Sequence, residues 1–252
     1  MGNLLDGKVC FVTGGSNGLG RAIINVFADH GAVGTAADVV PVAEDNPLPT
    51  GFDYLPTDVT DEHSLQAAIS HTVDKFGRLD VVVANAGIVP PWSAMEDLDL
   101  PTWTKVLAVN VQGIAATLKH ATPALKKSAG TIVVTASITS YKAAAFQMLY
   151  TTSKHAALGI IRASAAELGQ HQIRVNGIAP GPIATEALLN RIRTRADQGG
   201  MSLEDALAHH ANETSLNRMV TATEVGKAAL FLACHLSSGI TGALLPVDAG
   251  IP

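Results

Sequence analysis

A short apolar run, Val9-Cys10-Phe11-Val12, breaks off into Thr13-Gly14-Gly15-Ser16-Asn17-Gly18-Leu19-Gly20. Apolar residues then return at three- and four-residue spacing through Leu19, Ile23, Val26 and Phe27 until Gly31. This is a strand that passes through a glycine-rich turn directly into a helix. The alternation continues along the chain. Residues 32–37 read as a second strand followed by Asp38, 61–76 as a helix, and 79–84 as a strand whose near-continuous valines mark burial on both faces. A helix over 102–127, a strand over 131–135, a helix over 149–169 and a strand over 174–178 follow. Repeated strand and helix units predict parallel strands joined by right-handed helical crossovers. In such a sheet the ligand crevice lies at the carboxyl ends of the strands.

Two stretches interrupt the rhythm. Between 38 and 58 stand Pro41, Pro47, Pro49 and Pro56, so the helix expected there gives way to a loop over 39–57. The 181–219 segment has the weakest core patterning, with Gln198-Gly199-Gly200 between two short helical patterns. Residues 184–219 read as a lid over the substrate, the alternatives being a surface insertion or an oligomer contact. At 252 residues, 47% apolar and only 15% charged, the chain supplies one large core. The fold class expected is α/β: a single Rossmann-type domain over 1–252, a doubly wound parallel sheet flanked by helices.

The net charge of -5 offers nucleic-acid phosphates no basic surface, so no nucleic-acid partner is expected. Cys10 and Cys234 lie in apolar runs without CxxC spacing, which argues against a disulfide framework or a zinc site and for a reducing, cytoplasmic setting. His209 and His210 lack metal-ligand spacing, so a solvated helix face is expected there and no metal. The opening Met1-Gly2-Asn3-Leu4-Leu5-Asp6 has neither the regions of a signal peptide nor the Ser/Thr of a myristoylation site. No apolar stretch is long enough to span a bilayer, and no membrane partner is expected.

Gly14, Gly18 and Gly20 let the backbone approach a pyrophosphate whose charge the helix N-terminus favours, with Ser16, Asn17 and Leu19 in the same turn. Arg21 and Ala22 stand where a P-loop would put Lys and Ser/Thr, which excludes that motif. A glycine turn by itself also serves ordinary strand-to-helix connections. Asp38, 18 residues after Gly20, strengthens the dinucleotide reading, because a carboxylate there can bind the adenosine ribose hydroxyls. As a plain turn former it would only shape the loop. A 2′-phosphate would need Arg or Lys to offset that carboxylate, and none occurs from Ala22 to Asp74. The cofactor expected is NAD rather than NADP.

Tyr150 and Lys154 stand four apart on the predicted 149–169 helix and so share a face. A free phenol titrates near pH 10, too high for a proton carrier at neutral pH, and a neighbouring ammonium is expected to lower that value. Tyr-x-x-x-Lys alone is common on helix surfaces. Ser137, just after the 131–135 strand, places a hydroxyl at the functional edge of the sheet. Asn110 interrupts an apolar run, where a buried amide needs partners, whether structural or catalytic.

Together these pieces resemble the short-chain dehydrogenase/reductase family over nearly the whole chain. The matching segments are Thr13-Gly14 to Gly20, Asp58-Val59, Asn85-Ala86-Gly87, Asn110, Ser137, Tyr150-x-x-x-Lys154, Arg174-Val175-Asn176 and Pro180-Gly181, in the family's order and spacing. The resemblance implies an NAD-dependent alcohol dehydrogenase or ketone reductase. In it Tyr150 exchanges the hydroxyl proton, Ser137 polarises the carbonyl, Lys154 holds the nicotinamide ribose, and Asn110 anchors a water linking Lys154 to solvent. It further implies that Asp58 and Val59 contact adenine, that Asn85, Ala86 and Gly87 line the cofactor strand with Pro180 and Gly181, and that Ile183 and Thr185 secure the carboxamide. A homotetramer, or a dimer, is implied as well. Two features depart from the family: the proline-rich stretch after Asp38, and Ala249, where relatives often carry a second glycine after Asp248.

A catalytically idle NAD-binding regulatory protein, or an epimerase or dehydratase on the same scaffold, are the competing readings. Ile138, Ala144, Phe146, Val89, Trp92, Leu188 and Leu189 are the pocket candidates, each equally readable as core or interface. No Arg or Lys is among them. The partner expected is therefore an uncharged secondary alcohol or ketone, cyclic ones included.

Overall fold

Every residue of Val9–Thr13 is buried, as a strand covered on both faces requires, and this strand (β1) sits inside the sheet. The computed structural model describes residues 3–197 and 199–252; Met1, Gly2 and Gln198 lie outside them. The chain continues through α1 (Gly18–Asp29), β2 (Val33–Asp38), β3 (Phe52–Pro56), α2 (Glu62–Phe76), β4 (Val81–Ala84), α3 (Leu100–Leu107), α4 (Gly113–Ser128) and β5 (Thr131–Thr135). It closes with α5 (Met148–Leu168), β6 (Arg174–Pro180), α6 (Glu186–Asp197), α7 (Leu203–Asn212), α8 (Ala222–Ala233) and β7 (Leu244–Val247).

Among the described residues the strands form one seven-stranded sheet in the order β3-β2-β1-β4-β5-β6-β7. Each adjacent pair is parallel. The chain runs outward from β1 to β3, then returns to build β4 on the other side of β1. That reversal opens a crevice beyond Thr13 and Ala84, where a doubly wound sheet takes its ligand.

Two apolar layers hold the helices to the sheet. On one face Ile23, Phe27, Val225 and Leu230 join α1 and α8 to β1; on the other Leu65, Ile69, Leu118, Leu125 and Ile161 join α2, α4 and α5 to β4 and β5. Phe27 and Leu125 are fully buried, and truncating either to Ala should cost about 2–5 kcal/mol.

Two elements differ from the sequence reading, and two more had none. The 39–57 loop contains strand β3, which pairs with β2 from Gly34↔Phe52 to Asp38↔Pro56. Being the sheet edge, β3 tolerates Pro56, which donates to no ladder. The helix expected over 102–127 starts earlier, with Asp99 capping Thr102 N, and is interrupted by a π-helical turn, Ala108–Gln112, that carries Asn110. A single extra residue in the helix rotates Asn110 inward, a device frequent at functional sites. Helix α8 and strand β7 carried no sequence expectation.

Candidate active site

A cleft of about 1360 Å³ runs along the carboxyl ends of the strands. A cavity of about 650 Å³ shares Trp92, Gln147, Tyr150 and Arg191 with it. The turn between β1 and α1 forms the cleft floor through Gly14, Asn17, Gly18, Leu19 and Gly20. Gly14 has φ of 66°, and a Cβ on Gly20 would overlap the Gly14 carbonyl, so a side chain fits at neither position. The N-cap residue Asn17 makes no capping hydrogen bond with its side chain, and no acid occupies the first turn of α1. The helix N–H groups and the positive end of its dipole are thus directed at the cleft. Ser16 stands behind the floor. Its N–H donates to Asp38 Oδ2 at 3.0 Å, and its own hydroxyl is buried without a partner among the described residues.

Asp38 ends β2 at the cleft wall, and its Oδ1 accepts from Val40 N at 3.0 Å. The carboxylate therefore shapes the turn and lines the cleft at once. Asp58 and Val59 also line the cleft. The Asp58 carboxylate accepts from Thr60 N and Oγ1 at 2.9 and 2.7 Å, and Val59 packs against the first residue of α4, Gly113. Asn85, Ala86 and Gly87 follow β4 into the same wall, while Pro180, Gly181, Ile183 and Thr185 follow β6 into the opposite one.

Ser137, Tyr150 and Lys154 meet in this cleft. Ser137 leaves β5 with its Oγ accepting from Thr139 N at 3.2 Å. Tyr150 and Lys154 stand one turn apart on α5, with Lys154 Nζ 5.7 Å from the Tyr150 ring centre. Lys154 is buried and donates to Thr135 O at 2.9 Å. Burial pushes its ammonium down to about 8, since no carboxylate offsets the lost solvation.

Burial pushes the Tyr150 phenol up, while the Ser137 hydroxyl and the Arg191 charge pull it back. Lys154 is not among the groups lowering it, contrary to the sequence expectation: its nitrogen turns to the Thr135 carbonyl rather than the phenol oxygen, and it is itself easily neutralised.

Asn110 is fully buried and lines neither cavity. Its Oδ1 accepts from Ile88 N at 2.8 Å, and its Nδ2 donates to Ile88 O at 2.9 Å and to Ser153 Oγ at 3.2 Å. These bonds pin the backbone of the wall that follows β4 to the helix carrying Tyr150.

Of the pocket candidates, Ile138, Val89, Trp92, Leu188 and Phe146 line one cavity or the other; Ala144 and Leu189 line neither. The expectation of a pocket without cations is overturned by Arg191. Its guanidinium lies 4.1 Å from the Trp92 ring centre and reaches both cavities. His210 is also half-buried against the cleft rather than on a solvated face. A signal for Arg191 was present: it falls three residues after Leu188 and next to buried Ile192, on the inward side of its helix.

Comparison with known proteins is consistent with this geometry. The family model described as enoyl-(acyl carrier protein) reductase matches residues 14–252. Short-chain dehydrogenase reductase 3b of Arabidopsis thaliana is 36% identical over 99% of this chain and 97% of its own. The ligand-free aldohexose dehydrogenase of Thermoplasma acidophilum superposes with a TM-score of 0.91 at 29% identity, covering 98% of this chain and 94% of that one. A carveol dehydrogenase from Mycobacterium avium, in complex with NAD, superposes with a TM-score of 0.88 at 30% identity over 98% of each chain. Likeness at this level along the entire length makes the chain a member of the short-chain dehydrogenase/reductase family.

Proposed function

We propose that this protein is an NAD-dependent dehydrogenase of secondary alcohols, acting in reverse as a ketone reductase, with Tyr150 as its general acid/base. The observation that carries the reading is the convergence of Ser137, Tyr150 and Lys154 on one cleft with the glycine turn. Glycines that keep the cleft floor bare and an α1 N-terminus without a side-chain cap suit a pyrophosphate. Asp38 suits the adenosine ribose, and Asp58, Val59, Ile183 and Thr185 would flank the remaining parts of the dinucleotide.

Arg21, on the helix that follows the glycine turn, does not line the cleft; it bonds Asn25 Oδ1 and the carbonyls of Asn46 and Pro47 instead. This favours NAD over its phosphorylated form. The carveol dehydrogenase that resembles this chain binds NAD, which agrees.

When bound, the nicotinamide takes up or supplies the hydride. Tyr150 removes the hydroxyl proton as the carbinol carbon gives up its hydride, so the alcohol loses two electrons and two hydrogens and becomes a ketone. Ser137 donates a hydrogen bond to the oxygen as its charge changes. Lys154 supplies a donor beside Tyr150 and holds the nicotinamide ribose, and Asn110 is a positioning residue acting through Ile88 and Ser153. Helices α6 and α7 act as a lid over the substrate. The assembly is a homotetramer, which gel filtration tests.

Replacing Tyr150 by Phe tests the mechanism. NADH formation at the reduced-nicotinamide absorbance band should fall by at least about 10²-fold while NAD binding persists. Retention of most activity would remove Tyr150 from the reaction, and an absence of net absorbance change in the wild type would favour an idle or epimerase-like protein.

A further inference from the structure

We propose that Arg191 is a specificity residue that binds a carboxylate on the substrate, with His210 beside it, so that the substrate of this enzyme is a hydroxy acid and its product an oxo acid. This deepens the dehydrogenase reading and rests on it. Arg191 sits on the inward side of α6 and stacks one face of its guanidinium on Trp92. Stacking uses the π face and leaves the in-plane N–H groups to bind something else. Yet Nε and Nη2 are both buried and have no hydrogen-bond partner among the described residues. Burial without a counter-charge pulls the Arg191 pKa down. A buried guanidinium with idle in-plane donors matches the two oxygens of a carboxylate, which would restore the lost solvation.

The place fits the chemistry. Arg191 and Tyr150 line the same 650 Å³ cavity and lie close enough to perturb each other's ionisation. An anchor there would hold a second part of the molecule whose carbinol faces Tyr150. His210, from α7, lines the adjoining cleft with its Nδ1 buried, 3.5 Å from Glu213 Oε2 and without a hydrogen-bond partner among the described residues. Burial holds His210 toward its neutral form, Glu213 opposes it, and the His209 and Arg191 charges add to the burial effect. Arg191 thus offers the ligand a flat pair of in-plane donors, which suits the two oxygens of a carboxylate. Glu96, Asp97 and Asp99 border the cavity as exposed, solvated groups, and none pairs with Arg191 among the described residues.

The test uses full-length protein saturated with NAD and two probes, cyclohexanecarboxylate and its methyl ester, titrated by calorimetry. The wild type should bind the acid at least about tenfold more tightly. Arg191→Gln should bring the two within about twofold, and Arg191→Lys should restore part of the preference. NAD affinity measured on each variant reports that it has folded.

In a second arm 3-oxocyclohexanecarboxylate and its methyl ester are reduced with NADH, and the preference should reside in KM rather than kcat. Equal binding of acid and ester by the wild type, or a preference that survives Arg191→Gln, overturns the assignment. Acid-selective binding with no turnover of either ketone upholds Arg191 and overturns the dehydrogenase reading instead.

Discussion

Replacing Asn110 by Leu keeps most of the side-chain volume and removes the polar edge, so it separates a structural amide from a chemical one. Two bonds to the Ile88 backbone are lost, at 2.8 and 2.9 Å, and each leaves a main-chain group unpaired. The Ser153 hydroxyl keeps its own acceptor, Tyr150 O at 2.8 Å, so its loss adds little. Ile88 is half-buried and water can partly reach it, which sets the cost near the lower end for orphaned groups, about 1–2 kcal/mol each and about 2–4 kcal/mol together. For a chain of this size each kcal/mol moves Tm by about 2–4 °C. A fall of roughly 5–15 °C is expected in a thermal melt, with an unchanged urea m-value. Turnover at temperatures well below the new Tm should fall mainly through KM, because Ile88 lines the cleft. A variant within about 0.5 kcal/mol of wild type in stability but with collapsed kcat would refute this reasoning and return Asn110 to the chemistry.

Lys154 carries a proton up to about 8 when folded and to 10.5 when not, so its burial penalty is complete below pH 8 and fades as pH rises. Wild type should therefore gain about 2 kcal/mol between pH 8 and 10 relative to Lys154→Met, read from urea midpoints; parallel profiles would contradict the assigned shift. Above that window the raised Tyr150 works in the opposite direction. Ala249 is buried with φ of 58°, a left-handed conformation that costs a side chain about 1 kcal/mol. Ala249→Gly should raise Tm by a few degrees, about 2–4 °C, and a lowered Tm would mean that the methyl packs more than it strains. Steady-state kcat/KM should be higher with NAD than with NADP, and Asp38→Asn should narrow that ratio; a higher value with NADP refutes the assignment of Asp38.

The frame of the molecule was legible because its signals are local. Apolar runs of four or five residues followed by periodic helices mark β1, β4 and β5, and a turn that admits only small residues marks the cofactor floor. Strand β3 was hidden because its residues alternate weakly and are bracketed by prolines that only an edge position tolerates. The π-helical turn was hidden because one inserted residue leaves the apolar content of a helix unchanged while turning Asn110 inward. Arg191 escaped for a different reason. Its inward side of the helix was readable from Leu188 and Ile192, but the ring it stacks on is Trp92, some hundred residues earlier, which no local pattern announces. The direction of the Tyr150 shift likewise depends on what surrounds the phenol in space, not on Lys154 four residues along the helix.

Hydrogen bonds across three adjacent strands explain why the proton machinery and the glycine turn keep a common register. Lys154 donates to the main chain of Thr135 at the end of β5, and the Thr135 hydroxyl donates to Asn85 Oδ1 at 3.1 Å. The Asn85 amide donates to the carbonyls of Thr13 and Gly14, and Asn85 N and Ala86 N both donate to the Thr13 hydroxyl at 3.0 Å. Since β5, β4 and β1 are neighbours in the sheet, each link is one strand spacing long, about 4.8 Å. Asn85 is thereby more than a residue of the cleft wall: it links the glycine turn to the strand end that holds Lys154 beside Tyr150. In Asn85→Ala the Thr13 and Gly14 carbonyls and the Thr135 hydroxyl would lose their partner together. The glycine turn would then loosen relative to α5, so NAD affinity and kcat should decline jointly, by about tenfold or more each. Loss of NAD affinity alone, with kcat intact at saturation, would show that Asn85 only lines the cofactor and that the two halves of the site hold their spacing by other means.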